Sequence, residues 1–541
     1  MAGFLTRQRS KYNSKMEFKN NINKYKSYVI NLLMPAIVFG FVTGVVTSVI
    51  VCLYKLCAKH IIELSELIYG YLREYAYFIP LAILGALGLS ILLAYIYKKI
   101  PNIKGGGIPT SVGILRGIIT FKWLRSLIGV FTLSLTSFLF GVPLGNEGPS
   151  VQMGTAIGRG SVYTFAKKHR AWDRYSMTGG ACAGFSVATG APISGILFSV
   201  EEAHHRISPT IVIVASSSVL FANITSRLLC PALGISERLF EVLDIPALDV
   251  VDYWLPLAIG IGVGLFSVLF LYYYRVLDKL HDKTLGRLPH FIKIFTIFLI
   301  TISMGLVSFS FVSTGHDLIL GLLESNGAIW FLLLVLLVRS TLTLSANTSG
   351  ITGGTFIPVL ALGALVASIM GKAFLACGLD PSYYTTIVVL GITACIAGAM
   401  KMPLTAIVFS LEALSCHNNI VPVIIVAVVA FLITEIFGVK SINDVAIELR
   451  EDFEENKAQQ IVVEKNVVVK AGSFAVGKQI RDIFWPRNLF VLSLKRPTER
   501  EKTDEHGSKE IGVGDILHIR YSTSDELITE SELASIVGEQ D

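Results

Sequence analysis

A succession of long apolar stretches, several of them interrupted by Gly and Pro, most restricts what this chain can fold into. Residues 28–55 form the first, more than enough for one tilted membrane span. Residues 78–97 form a second, closed by Lys98 and Lys99. Others fall at 123–144, 176–200, 209–228, 254–274, 291–312, 329–345, 356–377, 384–399 and 420–437. Only 16% of the 541 residues are charged and 52% are hydrophobic, whereas soluble domains carry about 25% charged residues. The pattern predicts an α-helical polytopic membrane protein with a smaller soluble part. Irregular backbone at membrane depth is tolerated only where protein or a water-filled path surrounds it. The broken stretches therefore predict broken, tilted helices around a path.

The ends of the chain differ from its middle. The first 26 residues hold seven Lys and Arg, from Arg7 to Lys26, against Glu17 alone. By the positive-inside rule the N-terminal segment 1–27 is expected to be cytoplasmic, and it is too long and charged for a signal peptide. The net charge of +6 gives no case for a nucleic-acid partner. The seven cysteines show no CxxC spacing and read as small apolar residues rather than as a disulfide or metal set. After residue 446 the character changes. A charged linker is expected at 447–459, and 460–541 reads as a small cytoplasmic α/β domain. Its strands are expected at 461–463, 466–469, 489–492 and 515–519, with a short helix over 476–484. No phosphate loop, nucleophile–base arrangement or cofactor motif is present, and an enzyme is not expected.

Gly145-Asn146-Glu147-Gly148-Pro149 sits at the end of an apolar run. Pro149 suits a first helical turn, and the flanking glycines leave the backbone N–H groups uncovered. A carboxylate at a helix start within a membrane is a functional hypothesis by default, because the N–H groups and dipole there attract an anion. Glu147 reads as that anion part of the time, with a diffusible anion replacing it otherwise.

An internal repeat supports a path. Gly180 to Pro192 aligns without gaps on Gly391 to Pro403, and Phe198-Ser199-Val200-Glu201 continues against Phe409-Ser410-Leu411-Glu412. Upstream, Pro149 and Gly154 pair with Pro358 and Gly363 at nearly the same offset. Two halves, at about 28–230 and 250–446, each with broken helices, are a transporter signature of two inverted repeats with the site at their interface.

Four stretches then occur in order: Gly105-Gly-Gly-Ile-Pro109, Gly145-Asn-Glu-Gly-Pro149, Gly195-Ile-Leu-Phe-Ser-Val-Glu-Glu202 and Gly354-Thr-Phe-Ile-Pro358. With them, residues 28–446 resemble the CLC family of chloride channels and anion/proton antiporters. The last 80 or so residues resemble the TrkA-C (RCK C-terminal) domain, on Val469 to Gly472, Trp485-Pro486 and Gly514-Asp515. The resemblance implies a homodimer in a bacterial plasma membrane, with chloride or another small anion and protons as cargo, lipid around it, and a small-molecule ligand for the tail domain. It implies Glu147 as gating and proton-carrying glutamate and Glu202 as inner proton glutamate. Backbone at Glu147, Gly148, Thr355 and Phe356 would line the anion sites, with Gly106 and Gly107 below. Desolvation and a neighbouring anion both disfavour an ionised carboxylate, so anion occupancy and protonation become interdependent. Glu201 and Glu412 read as structural, Thr352 and Thr405 as packing hydroxyls, and Lys401 as either a pathway cation or an anchor.

Three departures stand out. Family members usually carry serine where Gly106 stands, and a tyrosine where Asn443 aligns; residues 385–520 hold no tyrosine. Asn146 replaces a typical arginine and is shared with the fluoride/proton branch. Losing two hydroxyl donors should weaken the central anion site. Chloride/proton exchange is the preferred expectation. Fluoride/proton exchange, an uncoupled chloride channel, and a membrane-anchored sensor follow in that order.

Overall fold

The structure is a computed structural model that describes residues 29–165, 170–240, 245–324, 327–454, 461–496, 507–523 and 526–540. The basic segment expected at 1–27 and the end of the expected linker, from 455 on, lie outside these residues.

The first half runs through α1 (Met34–Glu74), α2 (Ile79–Lys99), α3 (Ile108–Leu115), α4 (Trp123–Leu139), α5 (Glu147–Phe165), α6 (Asp173–Thr189), α7 (Pro192–Phe198) and α8 (Pro209–Ala232). The second half runs through α9 (Trp254–Leu285), α10 (His290–Val307), α11 (His316–Leu323), α12 (Ile329–Thr348), α13 (Phe356–Ala376), α14 (Tyr384–Ala399), α15 (Pro403–Glu412), α16 (Ile420–Ile436) and α17 (Ile442–Glu454). Among the described residues, nine helical segments are long and apolar enough to cross a membrane. The expected fold class, a polytopic helical protein with a small α/β tail, is borne out.

Four local differences from the expected spans are seen. The apolar stretch 176–200 resolves into α6 and α7 because Gly190 turns left-handed (φ 71°) and Pro192 restarts the helix. The first span continues past its apolar run to Glu74. At 41 residues, α1 is roughly twice the length that a bilayer requires. The short helices α11 and α15 carry too little pattern to be read from sequence. Helix α17 runs across the boundary expected at 446.

The repeat is visible in the packing. Helices α5 and α6 cross so closely that a Cβ on Gly180 would stand 2.0 Å from the Gly154 carbonyl oxygen. In the second half α13 and α14 cross in the same way, a Cβ on Gly391 standing 2.7 Å from the Gly363 carbonyl oxygen. These are the glycines that the sequence alignment pairs. Small residues let backbones approach where lipid offers no hydrophobic drive.

Helices α7 and α15 lie antiparallel, because each is capped by the far end of the other. Glu201, just past α7, accepts from the Leu404 and Thr405 N–H groups and the Thr405 hydroxyl at 2.6–2.9 Å. Glu412, ending α15, accepts from the Ile193 and Ser194 N–H groups and the Ser194 hydroxyl at 2.8–2.9 Å. Both carboxylates thus occupy helix N-termini, where negative charge is favourable. The structural reading of Glu201, Glu412 and Thr405 is what the geometry shows.

The tail holds β1 (Ile461–Val468), β2 (Leu489–Lys495), β3 (Ile516–Thr523) and α18 (Glu526–Val537). The sheet is antiparallel with order β1-β3-β2, and Leu533, Ile536 and Val537 of α18 close its core against Val467, Leu517 and Tyr521. The expected strands 461–463 and 466–469 are one strand. The helix expected over 476–484 is absent. Its N–H groups are taken by a neighbouring segment instead, Gly477 by Ile511, Ile480 by Lys509 and Arg481 by Gly507; only Ile480–Asp482 makes a 3-10 turn.

Candidate functional site

The starts of α5 and α13 meet. Gly145 and Gly354 exchange both backbone hydrogen bonds, at 2.6 and 2.8 Å, as an isolated antiparallel bridge. Two helix N-termini are thereby held against each other, with their uncapped N–H groups and positive dipole ends facing one gap. The glycines of the two motifs are required there. A Cβ at position 354 would stand 2.7 Å from the Gly148 nitrogen and cover its N–H. A Cβ at position 148 would stand 2.6 Å from the Gly354 Cα and 3.1 Å from the Gly107 Cα. Gly107 itself has φ 104° and is left-handed. Gly107, Gly148 and Gly354 therefore pack backbone to backbone, and side chains begin only at Glu147, Thr355 and Phe356.

Glu147 is fully buried at this junction, and its carboxylate faces its own N–H and that of Ile357 in the first turn of α13, with no side-chain partner among the described residues. One oxygen lies 2.6 Å from where a Cβ on Gly145 would stand, close to the first turn of α13. A carboxylate facing the N–H groups of two helix starts occupies the place an anion would take. On the other side lie Lys55, whose Nζ donates to the carbonyls of Val187 and Ser236 at 3.1 Å, and His316, bonded to the Leu239 carbonyl at 2.8 Å. Both act on Glu147 electrostatically. The Asn146 Oδ1 and the Thr355 hydroxyl are also buried without a partner. Phe356 is buried edge-on against Phe185 and Phe409 at 5.1 and 5.4 Å.

The Gly105–Gly107 turn is held by residues that the sequence did not single out. Gln152 of α5 accepts from the Gly107 N–H at 2.7 Å and donates to the Asn102 carbonyl at 3.0 Å. The Gly107 N–H is thus already used. The Gln152 Oε1 lies 2.6 Å from where a Cβ on Gly106 would stand, so it fills the space a side chain at 106 would need. Thr352 donates to the Ile103 carbonyl at 2.7 Å and bonds the Tyr97 hydroxyl at 2.8 Å. It is a packing hydroxyl, as expected. Lys401 pairs with Glu435 at 2.6 Å, which accounts for its charge.

Glu202 lies apart from this turn, on a π-helical segment, Ser199–His204, that continues α7. It is buried, and its Oε1 has no partner. Arg116, just past α3, donates to the Glu202 and Ala203 carbonyls at 2.8 and 3.2 Å and pairs with Asp444 at 2.7 Å. This clamp brings the start of α17 to the π-segment, so the Asn443 side chain faces Glu202. Both amide atoms of Asn443 are buried, and the Glu202 carboxyl is the polar group the amide acts on. The structure therefore gathers the expected residues in two groups: Glu147 with Gly107, Gly148, Thr355 and Phe356, and Glu202 with Asn443. Among the described residues no three His, Cys, Asp or Glu side chains gather as metal ligands.

Known proteins share this fold. The family model described as voltage gated chloride channel matches residues 89–435. The H(+)/Cl(-) exchange transporter ClcA of Klebsiella pneumoniae is 30% identical over 377 residues, 68% of this chain and 79% of that one. The protein of the same name from Citrobacter koseri is 29% identical over 424 residues, 76% and 86% of the two chains. A slow cyanobacterial Cl-/H+ antiporter of known crystal structure superposes with a TM-score of 0.68 at 25% identity, covering 78% of this chain and 99% of that one. A CLC-type fluoride/proton antiporter shares the fold at a TM-score of 0.60 and 19% identity, over 76% and 98% of the chains. With its paired helix starts built from the motifs inside the matched region, the chain belongs to the voltage gated chloride channel family.

Proposed function

We propose that this protein exchanges chloride for protons across a membrane, with Glu147 as the group that yields its place to the anion when it takes up a proton. The observation that carries this reading is the buried Glu147 carboxylate set against the backbone N–H groups at the joined starts of α5 and α13. The exchange activity in the names of the Klebsiella and Citrobacter relatives supports the choice of cargo. On this reading the amides of Glu147, Gly148, Thr355 and Phe356 line the anion sites. Gly106, Gly107 and Asn443 lie on the inner side, and Glu202 hands protons to the cytoplasm. The chain works as a transporter and not as an enzyme, as a homodimer in a bacterial plasma membrane with its N-terminus and tail cytoplasmic. The tail, residues 460–541, acts as a TrkA-C-like regulatory domain with a small-molecule ligand.

A second reading, fluoride/proton exchange, draws on Asn146, whose Oδ1 is buried and unpartnered next to Glu147. One experiment separates the readings. Purified protein in liposomes is given an outward chloride gradient, then a fluoride gradient, and proton uptake is followed. Chloride-driven uphill uptake is expected. Uptake with fluoride alone would transfer the assignment to fluoride, and anion flux without protons would make the protein a channel. In the same assay Glu147→Ala should keep anion flux and abolish coupled proton movement. Persistent proton uptake would remove Glu147 from its assigned role.

A further inference from the structure

The tail is seated directly on the membrane part. Tyr175 donates to the Asp482 carbonyl at 2.7 Å, Arg174 to that of Trp485 at 2.9 Å and Arg206 to that of Arg481 at 2.9 Å. The Phe484 ring packs against Tyr175 and His204, with centroids 4.5 and 4.6 Å apart. Beside this contact lies a cavity of about 1300 Å³. Lys104, Gly350 and Ala446 line it on the membrane side, and Arg487, Ser522 and Ser535 on the tail side. Lys104 immediately precedes the Gly105–Gly107 turn, and Gly350 accepts the Gly105 N–H at 2.8 Å. Ala446 lies one helical turn past Asn443 in α17. One cavity thus touches the segments that carry the inner anion groups and the tail together.

Its walls are basic. Six Lys and Arg side chains, Lys293 and Arg174 among them, face three carboxylates. Asp173 pairs with Arg159 at 3.3 Å, which leaves five of these cations facing two carboxylates. Arg174 donates to a neutral carbonyl, with Glu532 and Asp173 as the carboxylates that act on it. A cleft lined by one sign of charge between low-dielectric walls focuses the field and raises the local concentration of the opposite ion.

We propose that the tail domain is a wall of the anion path, and that the transported anion passes through this shared basic antechamber between water and the Gly105–Gly107 turn. The proposal rests on the anion-transport reading above. It assigns Arg487, a tail residue, to anion capture. The tail then acts on transport by its charge as well as by any regulation.

The test uses the full-length protein, oriented in liposomes, with exchange rate measured against chloride on the tail side. Arg487→Glu should raise the chloride KM on that side by about threefold to tenfold, through the loss of local field. The saturating rate and the KM on the opposite side should stay unchanged, and Arg487→Lys should behave as wild type. The effect should shrink in a non-transported salt at about 1 M, where the Debye length falls to about 3 Å. An unchanged KM, or an equal rise on both sides, would overturn the proposal. A second measurement does not need transport. With each rate divided by that reagent's rate on a free small thiol, Ser535→Cys should react faster with an anionic methanethiosulfonate than with a cationic one, after subtraction of the parent protein's own thiols. Equal or reversed rates would also overturn it. If wild type moves neither chloride nor protons, the transport reading has failed, whereas the labelling still decides whether the cavity gathers anions.

Discussion

Gly106 and Asn443 stand where the family resemblance expects hydroxyl donors, yet their surroundings make them unequal. The space beside Gly106 is already filled: a Cβ at that position would stand 2.6 Å from the Gln152 Oε1 and 3.2 Å from the Thr352 methyl. Asn443 is buried with its amide facing the Glu202 carboxyl, so its surroundings already accommodate a polar side chain. A hydrogen bond to a charged partner contributes about 1.5–3 kcal/mol, which is roughly tenfold to a hundredfold in affinity. Asn443→Tyr should therefore tighten chloride binding by about tenfold, read by isothermal titration. Gly106→Ser should fail to do so and should lower stability, until Gln152→Ala relieves the crowding. Equal gains from both single changes would contradict the inferred crowding. In the tail, Lys478 presents a different residue-scale problem. Its Nζ sits 3.4 Å from the Phe474 ring centroid, and burial pushes its ammonium down to about 7. The folded tail thus binds this proton more weakly than the unfolded chain does, which holds it to about 10.4. Stability from this group is fully present above the unfolded pKa, and is lost as pH falls toward and through about 7. The slope between pH 7 and 10 should not exceed about 1.4 kcal/mol per pH unit. Hydrogen exchange of β3, corrected for the intrinsic rate, should show protection rising over that window, and Lys478→Met should flatten it.

At the scale of elements, the crossed caps join the two halves of the membrane part. Each of Glu201 and Glu412 satisfies two orphan N–H groups of a helix in the opposite repeat. Replacing a capping group costs about 0.5–2 kcal/mol. Glu201→Gln and Glu412→Gln should each lower stability by up to about 2 kcal/mol and by similar amounts, because the two sites are repeat-related copies. Thermal unfolding in detergent would show it; a cost at one site alone would mean that the symmetry of contacts is not one of energies. The carboxylates could be placed in sequence because Phe-Ser-Val-Glu and Phe-Ser-Leu-Glu sit at matching offsets. Their partners could not, since capping across about 200 residues leaves no local pattern. The same distinction runs through the site. The two glycine motifs were legible because the backbone contact between Gly148 and Gly354 admits no other residue. Gln152 and Arg116 were not, because a polar side chain in mid-helix and an arginine after a short one gain meaning only from what folds against them. In the tail, alternation gave the strands, but the segment 476–484 has residues suited to helix and loses that form to pairing with 507–511.

Across the whole molecule, burial is unevenly distributed, and this bears on assembly. The span Ala76–Lys99 is only 17% buried in its most apolar window, whereas Pro381–Ala399 is 83% buried. The former faces outward and the latter forms the centre. Helices α7, α8, α15 and α16 also present apolar residues outward, including Ile193, Leu228, Leu404 and Leu432, each more than half exposed. These four helices come from equivalent places in the two halves, and the N–H groups capped by Glu201 and Glu412 open on this same face. Small patches of apolar surface suit lipid as well as protein, so exposure alone does not select a partner. Protein is favoured on this face because α7, α8, α15 and α16 are repeat-related helix pairs, which place one exposed apolar patch from each half side by side, and a two-fold interface pairs such a patch with its own copy. We therefore expect a dimer formed through α7, α8, α15 and α16, with α2 left to lipid. Light scattering in detergent, corrected for bound detergent and lipid, should give twice the 59.0 kDa of one chain. A cysteine at Leu228 should cross-link between chains, while one at Leu92 in α2 should not. A single-chain mass, or cross-linking through α2, would reverse the assignment of the two faces.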